Sequence, residues 1–163
     1  MKTLVLIRHA KSGWGHIYQK DMERVLDETG KTQASFMAER LAHLGIVPDV
    51  FLSSPATRAV ETAEYFFKRF GLDKKNLKII DRLYQPHISD FYGAIESIDN
   101  SLHTALLFSH NPGITEFINQ FDRKSIIIMK TCSMYGFRIK SDHWKDLRIA
   151  DKEFLFYESP EGE

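Results

Sequence analysis

Cysteine is almost absent from this sequence: Cys132 is the only one among 163 residues. No disulfide can close within the chain, and no paired Cys-x-x-Cys is available for zinc or redox chemistry. One cysteine fits a reducing compartment, and Cys132 reads as a small buried hydrophobe near a strand rather than as a nucleophile. Charge of one sign is missing too. Lys plus Arg and Asp plus Glu are both 22, giving a formal net charge of zero, so composition exerts no long-range pull on nucleic acid or an anionic membrane. Long apolar runs are lacking: the run at residues 4–7 is stopped by Arg8, which is too short for a signal h-region or a membrane span. There is no His-Glu-x-x-His helix and no Gly-rich Walker loop, so zincin-type and P-loop chemistry are not indicated. The expectation is one domain over residues 1–163, cytoplasmic, with no metal, no cofactor, and no nucleic-acid or membrane partner.

What is there alternates strand and helix with short connections, the pattern of an α/β layered domain. Thr3-Leu4-Val5-Leu6-Ile7 is apolar on both faces and of strand length, hence a buried strand. Residues 11–30 read as loop plus a short turn. Ala34, Met37, Ala38, Leu41 and Leu44 recur at helical spacing, closed by Gly45 and followed by Pro48. Residues 50–53 form a second buried strand. Ser54-Pro55 then offers an N-cap and a first-turn proline to a helix whose apolar stripe is Ala59, Ala63, Phe66 and Phe70. Residues 77–80 are a third strand, and Ser89 can cap a helix carrying Tyr92, Ile95 and Ile98. Thr104-Ala105-Leu106-Leu107-Phe108-Ser109 is the clearest buried strand and leads into a short helix with Ile114, Phe117, Ile118 and Phe121. Alternation at Tyr135, Phe137 and Ile139, and at Leu155 and Tyr157, predicts a final hairpin, with residues 159–163 as a frayed tail. The architecture expected is a three-layer α/β/α sandwich on a mostly parallel sheet with an antiparallel edge strand.

Three of these strands end in polar residues of one kind. Arg8-His9 follows the first, Ser53-Ser54-Pro55-Ala56-Thr57-Arg58 the second, and Ser109-His110-Asn111-Pro112-Gly113 the later one. Parallel strands deliver their carboxyl ends to one edge, where ligands bind in α/β sheets. Arg8, His9, Arg58 and His110 can therefore converge, and Arg58 lies in the first turn of its helix, where free N–H groups also favour an anion. A planar guanidinium fork matches phosphate oxygens, so the set reads as a phosphate pocket. The other histidines have plainer readings. His43, His103 and His143 face water, while His16 lies in the loop after the first strand, where contact with substrate is open. Trp14 either lines the pocket mouth or, the preferred reading, covers core, and Arg58 has an alternative use as a surface ion pair with Glu61 or Glu64.

The three segments together resemble the histidine phosphatase superfamily, the phosphoglycerate mutase-like group. They stand here as Leu6-Ile7-Arg8-His9-Ala10, Ser54-Pro55-Ala56-Thr57-Arg58-Ala59-Val60-Glu61-Thr62 and Phe108-Ser109-His110-Asn111-Pro112-Gly113. Asp21-Met22-Glu23-Arg24-Val25-Leu26 with Thr29-Gly30 is similar to the Asp-x-x-Arg-Pro-Leu-Thr-x-x-Gly segment of the short SixA-type phosphohistidine phosphatases. The resemblance implies His9 as a nucleophile forming a phosphohistidine, with Arg8, Arg58 and His110 holding the phosphoryl oxygens. Arg24 and Asn111 are the further substrate-binding residues it implies. It also implies a metal-independent phosphatase, with protein phosphohistidine as the expected substrate.

Two departures stand out. Ala10 replaces the usual glycine. Gln85 falls where mutase-like members carry a glutamate acid, and an amide cannot protonate a leaving alkoxide. An imidazole leaving group needs far less help, which favours a histidine-phosphorylated protein over sugar or glycerate esters. The alternatives are a small phosphomonoesterase with His87 or Asp90 as the acid, and a phosphate-binding module without turnover.

Overall fold

The computed structural model describes residues 1–122 and 128–160; of the expected tail, residues 161–163 lie outside these. Six strands make one sheet: β1 (Lys2–Arg8), β2 (Val50–Ser53), β3 (Leu77–Ile79), β4 (Thr104–Ser109), β5 (Met134–Ile139) and β6 (Lys152–Glu158), in the spatial order β3-β2-β4-β1-β5-β6. β1 to β4 are parallel, β5 runs antiparallel to β1, and β6 pairs antiparallel with β5. The expected hairpin thus closes one side, with its antiparallel member second from the edge.

Alternation along the strands divides the core into two layers. Leu4, Leu6, Leu52, Ala105 and Leu107 face one way, toward α3 (Ile88–Glu96), α4 (Gly113–Ile118) and Trp144. Val5, Ile7, Phe51, Leu106 and Phe108 face the other way, toward α1 (Glu28–His43) and α2 (Thr57–Arg69). With apolar neighbours on both faces, β1 and β4 have no room for polar residues until their ends. Cys132 is fully buried, and burial pushes its thiol pKa far up, as expected of a small hydrophobe.

Helix starts differ from the expectation at three places. α1 begins at Glu28, within the expected loop, because the Asp27 carboxylate accepts the Gly30 N–H at 2.7 Å and caps it. α2 begins at Thr57, not at Pro55; the Ser54 hydroxyl is engaged in a turn with Ala56 N and in a contact with His110. α3 is not capped by Ser89. Its first turn is closed by Asp90, whose carboxylate accepts the His87 N–H at 2.8 Å. Leaving α1, Gly45 takes φ +75°, a conformation glycine adopts without strain.

Candidate active site

In the order β2-β4-β1 the three polar strand ends are immediate neighbours. Arg8 stands beside Ser109, and Ser53 beside Phe108. Backbone hydrogen bonds fix the turn after β1: His9 N donates to Ser109 O at 3.1 Å, and Cys132 N donates to the carbonyls of Arg8 and His9 at 3.0 and 3.1 Å. Thr62 links two of the motifs. Its hydroxyl accepts Ala10 N at 3.0 Å and donates to Arg58 O at 2.6 Å, so one side chain sets the first turn of α2 against the turn carrying His9.

The His9 and His110 rings lie 5.0 Å apart between centroids, and Arg58 Nε approaches His9 Nε2 at 3.4 Å. His9 Nδ1 is 2.7 Å from Ala10 O. A carbonyl only accepts, so Nδ1 carries the proton and Nε2 keeps a lone pair. Burial pushes the His9 pKa down to about 4, and the charges of Arg58, Arg8 and Arg24 add to this against the Ala10 hydrogen bond. His110 goes down to about 3, again by burial first and then by His9 and Arg58. Both rings are neutral at pH 7. A neutral His9 whose unprotonated Nε2 accepts only a long hydrogen bond, from Arg58 Nε, can serve chemically as a nucleophile.

Two buried donors wait beside it. His110 Nε2 meets Ser54 Oγ at 2.7 Å; the Ser54 hydroxyl accepts Ala56 N and donates its own proton to Nε2, so the neutral ring carries its N–H on Nδ1, which is buried with no partner. Arg8 Nη1 donates to Met129 O at 2.8 Å, and its Nε is likewise buried and unpaired. Burial and then the like charge of Arg58 lower the Arg8 pKa. Unmet donors and clustered guanidinium groups are stabilised by an anion, and a tetrahedral oxyanion can accept from several at once.

Behind these donors a cluster of charged contacts centres on Asp21, a residue quoted in the motif without a role. Its Oδ2 accepts Arg58 Nη2 at 3.1 Å and Tyr84 Oη at 2.6 Å, its Oδ1 accepts Arg24 Nη1 at 3.1 Å, and its carbonyl accepts Arg58 Nη1 at 2.7 Å. Arg58 therefore pairs with Asp21 rather than with Glu61 or Glu64; Glu61 instead accepts Leu26 N at 2.8 Å and anchors the loop. Arg24 also donates to Ser12 Oγ at 2.9 Å and lies over the Trp14 ring at 4.6 Å. Trp14 is exposed, which sets aside the preferred core-cover reading; the indole instead covers the Arg24 guanidinium.

An open cleft of about 620 Å³ leads in, lined by residues that include Arg58, His110, Asn111, Gln85, His87 and Glu116. Asn111 sits on its wall, but its amide is held by Met129 O at 2.8 Å and by Thr115 Oγ1 at 2.6 Å. His87 reaches the rim, whereas Asp90 is engaged at the α3 terminus. His16 is exposed, its Nδ1 accepting Tyr18 N at 3.2 Å, and His43, His103 and His143 are exposed as expected. Among the described residues no cluster of three or more His, Cys, Asp or Glu could hold a metal ion, and no helix is long and apolar enough to cross a membrane. Asp21, Ser54, Thr62 and Tyr84 are the site residues to which sequence reasoning gave no role. Ser54, Thr62 and Asp21 carried a signal, standing at fixed positions of the Ser-Pro-x-x-Arg-Ala-x-x-Thr and Asp-x-x-Arg-Pro-Leu segments; Tyr84 carried none.

The model of the histidine phosphatase superfamily (branch 1) matches residues 4–115. A chloroplastic protein of Arabidopsis thaliana is 28% identical over 155 residues, covering 89% of this chain and 70% of its own length. A 2,3-bisphosphoglycerate-dependent phosphoglycerate mutase of Clavibacter michiganensis subsp. michiganensis is 33% identical over 102 residues, covering 61% of this chain; the chain spans only 39% of that relative. Among solved structures, the protein histidine phosphatase SixA complexed with tungstate superposes with a TM-score of 0.80 at 17% identity, covering 97% of both chains.

Proposed function

The chain belongs to the histidine phosphatase superfamily (branch 1) and is a phosphatase of that family, and we propose that residues 1–163 act as one catalytic domain that dephosphorylates protein phosphohistidine without a metal. The observation that carries the mechanism is the state of His9: buried, neutral, its Nδ1 tied to Ala10 O and its Nε2 turned to the Arg58 guanidinium. In the first step the His9 Nε2 lone pair attacks phosphorus while the bond from phosphorus to the substrate's imidazole nitrogen breaks. The leaving imidazole takes a proton from solvent. In the second, water attacks phosphorus, the bond to Nε2 breaks, and inorganic phosphate leaves with the water's oxygen. Arg8, Arg58 and the unpaired His110 Nδ1 supply donors to the equatorial oxygens, where charge spreads as the phosphoryl group transfers. Arg24 and Asn111 flank the approach rather than the reacting nitrogen.

The leaving group is argued from the residues where an acid would fall, Gln85, Asp21 and Asp90, with Glu116 and His87 standing elsewhere on the cleft wall. Gln85 lines it with φ +50° and has no proton to give an alkoxide. Asp21 has its pKa pushed down to about 2 and holds no proton at pH 7, and Asp90 is tied to the α3 terminus. Phosphohistidine needs least from such a site. The openness of the cleft, with only α3 and short turns between β3 and β4, suits a phosphorylated side chain on another protein.

The test is to mix the protein with phosphoramidate and look for an acid-labile phosphate on His9. We expect that species in the wild type and its loss, with loss of turnover, in His9→Ala. Turnover on a phosphorylated histidine domain should exceed that on sugar phosphates by at least on the order of 10²-fold, and should survive EDTA. Comparable rates on the two substrates would shift the reading to a small-ester phosphatase with His87 at the rim as its acid, and turnover by His9→Ala would remove the mechanism.

A further inference from the structure

Arginine offers two bidentate edges: an end-on pair, Nη1 with Nη2, and a side-on pair, Nε with Nη2. In Arg58 the end-on pair is taken entirely by Asp21, with Nη1 on its carbonyl at 2.7 Å and Nη2 on its carboxylate at 3.1 Å. That leaves the side-on pair, and its Nε is the atom that meets His9 Nε2 at 3.4 Å. A phosphoryl group bound to Nε2 would find that edge already turned toward it. The same carboxylate holds Arg24 at 3.1 Å and receives the Tyr84 hydroxyl at 2.6 Å, while Tyr84 stands edge-on to the His110 ring at 5.7 Å.

We propose that Asp21 is a positioning residue for phosphoryl transfer: it fixes the outer edge of Arg58, so that the inner edge is aimed at the group on His9, and it anchors Arg24 at the mouth. This rests on His9 being the phosphoryl acceptor. Geometry is what transfer from a weakly bonded phosphoryl group demands, because the protein's part is chiefly to hold charge where charge develops. Without Asp21 the buried guanidinium keeps its charge and loses its alignment, and three linked elements lose their common tie: the Asp21–Glu23 turn, α2 and the Tyr84 segment. Hydrogen bonds from Tyr84 and Arg24 and the charge of Arg58 keep Asp21 ionised against the effect of burial, so it does not serve as a proton donor. The rival reading is a resident anion that occupies the phosphate's place and must be displaced.

The experiment compares wild type, Asp21→Asn and Asp21→Ala, each alone and with Arg58→Ala. The Arg58 Nε–H resonance in nitrogen–proton correlation spectra, identified by its loss in Arg58→Lys, reads alignment without any turnover. We expect it displaced from the bulk arginine group in the wild type and merged with that group in Asp21→Ala. With phosphoramidate, kcat should fall on the order of 10²-fold in Asp21→Ala and about tenfold in Asp21→Asn, with KM changed far less. In the Arg58→Ala background Asp21→Ala should cost far less than it does alone, since most of its effect runs through that guanidinium and only the share carried by Arg24 remains. An unchanged Arg58 resonance overturns the proposal. So do faster turnover with tighter inhibition by inorganic phosphate, the mark of a displaced resident anion, and losses that multiply in the double variant. If the wild type forms no phosphate on His9, the phosphatase mechanism falls, while the Arg58 resonance still decides whether Asp21 aligns it.

Discussion

His9, Arg58 and His110 are 8%, 6% and 5% exposed, whereas Trp14, Ile17 and Tyr18, on the loop that leaves the same strand, are 60%, 89% and 85% exposed. The floor of the site is held by bonds between distant segments: His9 to Ser109, Ala10 to Thr62, His110 to Ser54. The rim is held by its neighbours, with Gly15 N on Gln19 Oε1 and Tyr18 N on His16 Nδ1. Burial makes the floor's histidines neutral and its donors unsatisfied, which is what a phosphoryl group requires. Exposure leaves the rim with apolar side chains that the fold itself does not need. Floor and rim are thus parts of the molecule held by different forces, one by long-range bonds and the other by local ones.

Acid should break the floor first, and by the largest amount. The folded pKa values of His9 and His110, about 4 and about 3, lie below the ordinary value of about 6.5 that an unfolded chain restores. Above pH 6.5 neither state is protonated and the full stability is present. As pH falls from 6.5 toward 4 the unfolded chain takes up protons that the folded one refuses. Stability then drops by about 1.4 kcal/mol per pH unit for each histidine, on the order of 3 kcal/mol apiece. Urea titrations at several pH values should show this slope, and His110→Asn should flatten it by about half. Turnover should persist through pH 6 and fade only as His9 protonates near 4. Ring titrations by NMR that place either histidine near 6.5 would contradict both.

Next in size is the joint between floor and rim. Gly30, in the first turn of α1, lies so close to the loop that an added Cβ would sit 1.9 Å from Lys11 O. Lys11 is two residues past His9, and its N–H is held by Gln33 Oε1 at 3.0 Å, so the backbone cannot move aside without disturbing the turn that carries His9. Gly30→Ala should cost about 3 kcal/mol in urea unfolding and lower kcat as well. A variant within about 1 kcal/mol of wild type would mean that the joint is soft.

The sheet and the floor were legible in the residues for one physical reason. Strands apolar on both faces leave their first polar residues at their ends, so Arg8, His9, Arg58 and His110 announced an edge before any coordinates. What stayed hidden depends on contacts between segments. The ion pair of Asp21 with Arg58 spans the second and third motifs of the chain, and nothing local to either marks it. Tyr84 joins the same carboxylate from a third segment. Ser54 was misread for an instructive reason: its composition context is that of an N-cap, but the site claims its hydroxyl for His110, and α2 starts later as a result. For Trp14 the core-cover reading gives way because a guanidinium supplies its partner at the surface, a contact no local pattern announces.

The smallest expected effect sharpens the contrast most. Ile17 and Tyr18 are exposed, and no hydrogen bond described for them reaches beyond the loop, so Ile17→Ser with Tyr18→Ser should change stability by no more than about 0.5 kcal/mol. Turnover of phosphoramidate should be unchanged, because the small molecule reaches His9 without meeting the rim. On a phosphorylated histidine domain, kcat/KM should fall about tenfold, since interface aromatics and their neighbours contribute about 1 kcal/mol or more apiece when covered. Equal losses on both substrates would make the rim part of the floor's support. No loss on either would leave the apolar rim without a part in substrate choice, and the assignment of a protein substrate would then stand on the missing acid at Gln85 and the open cleft alone.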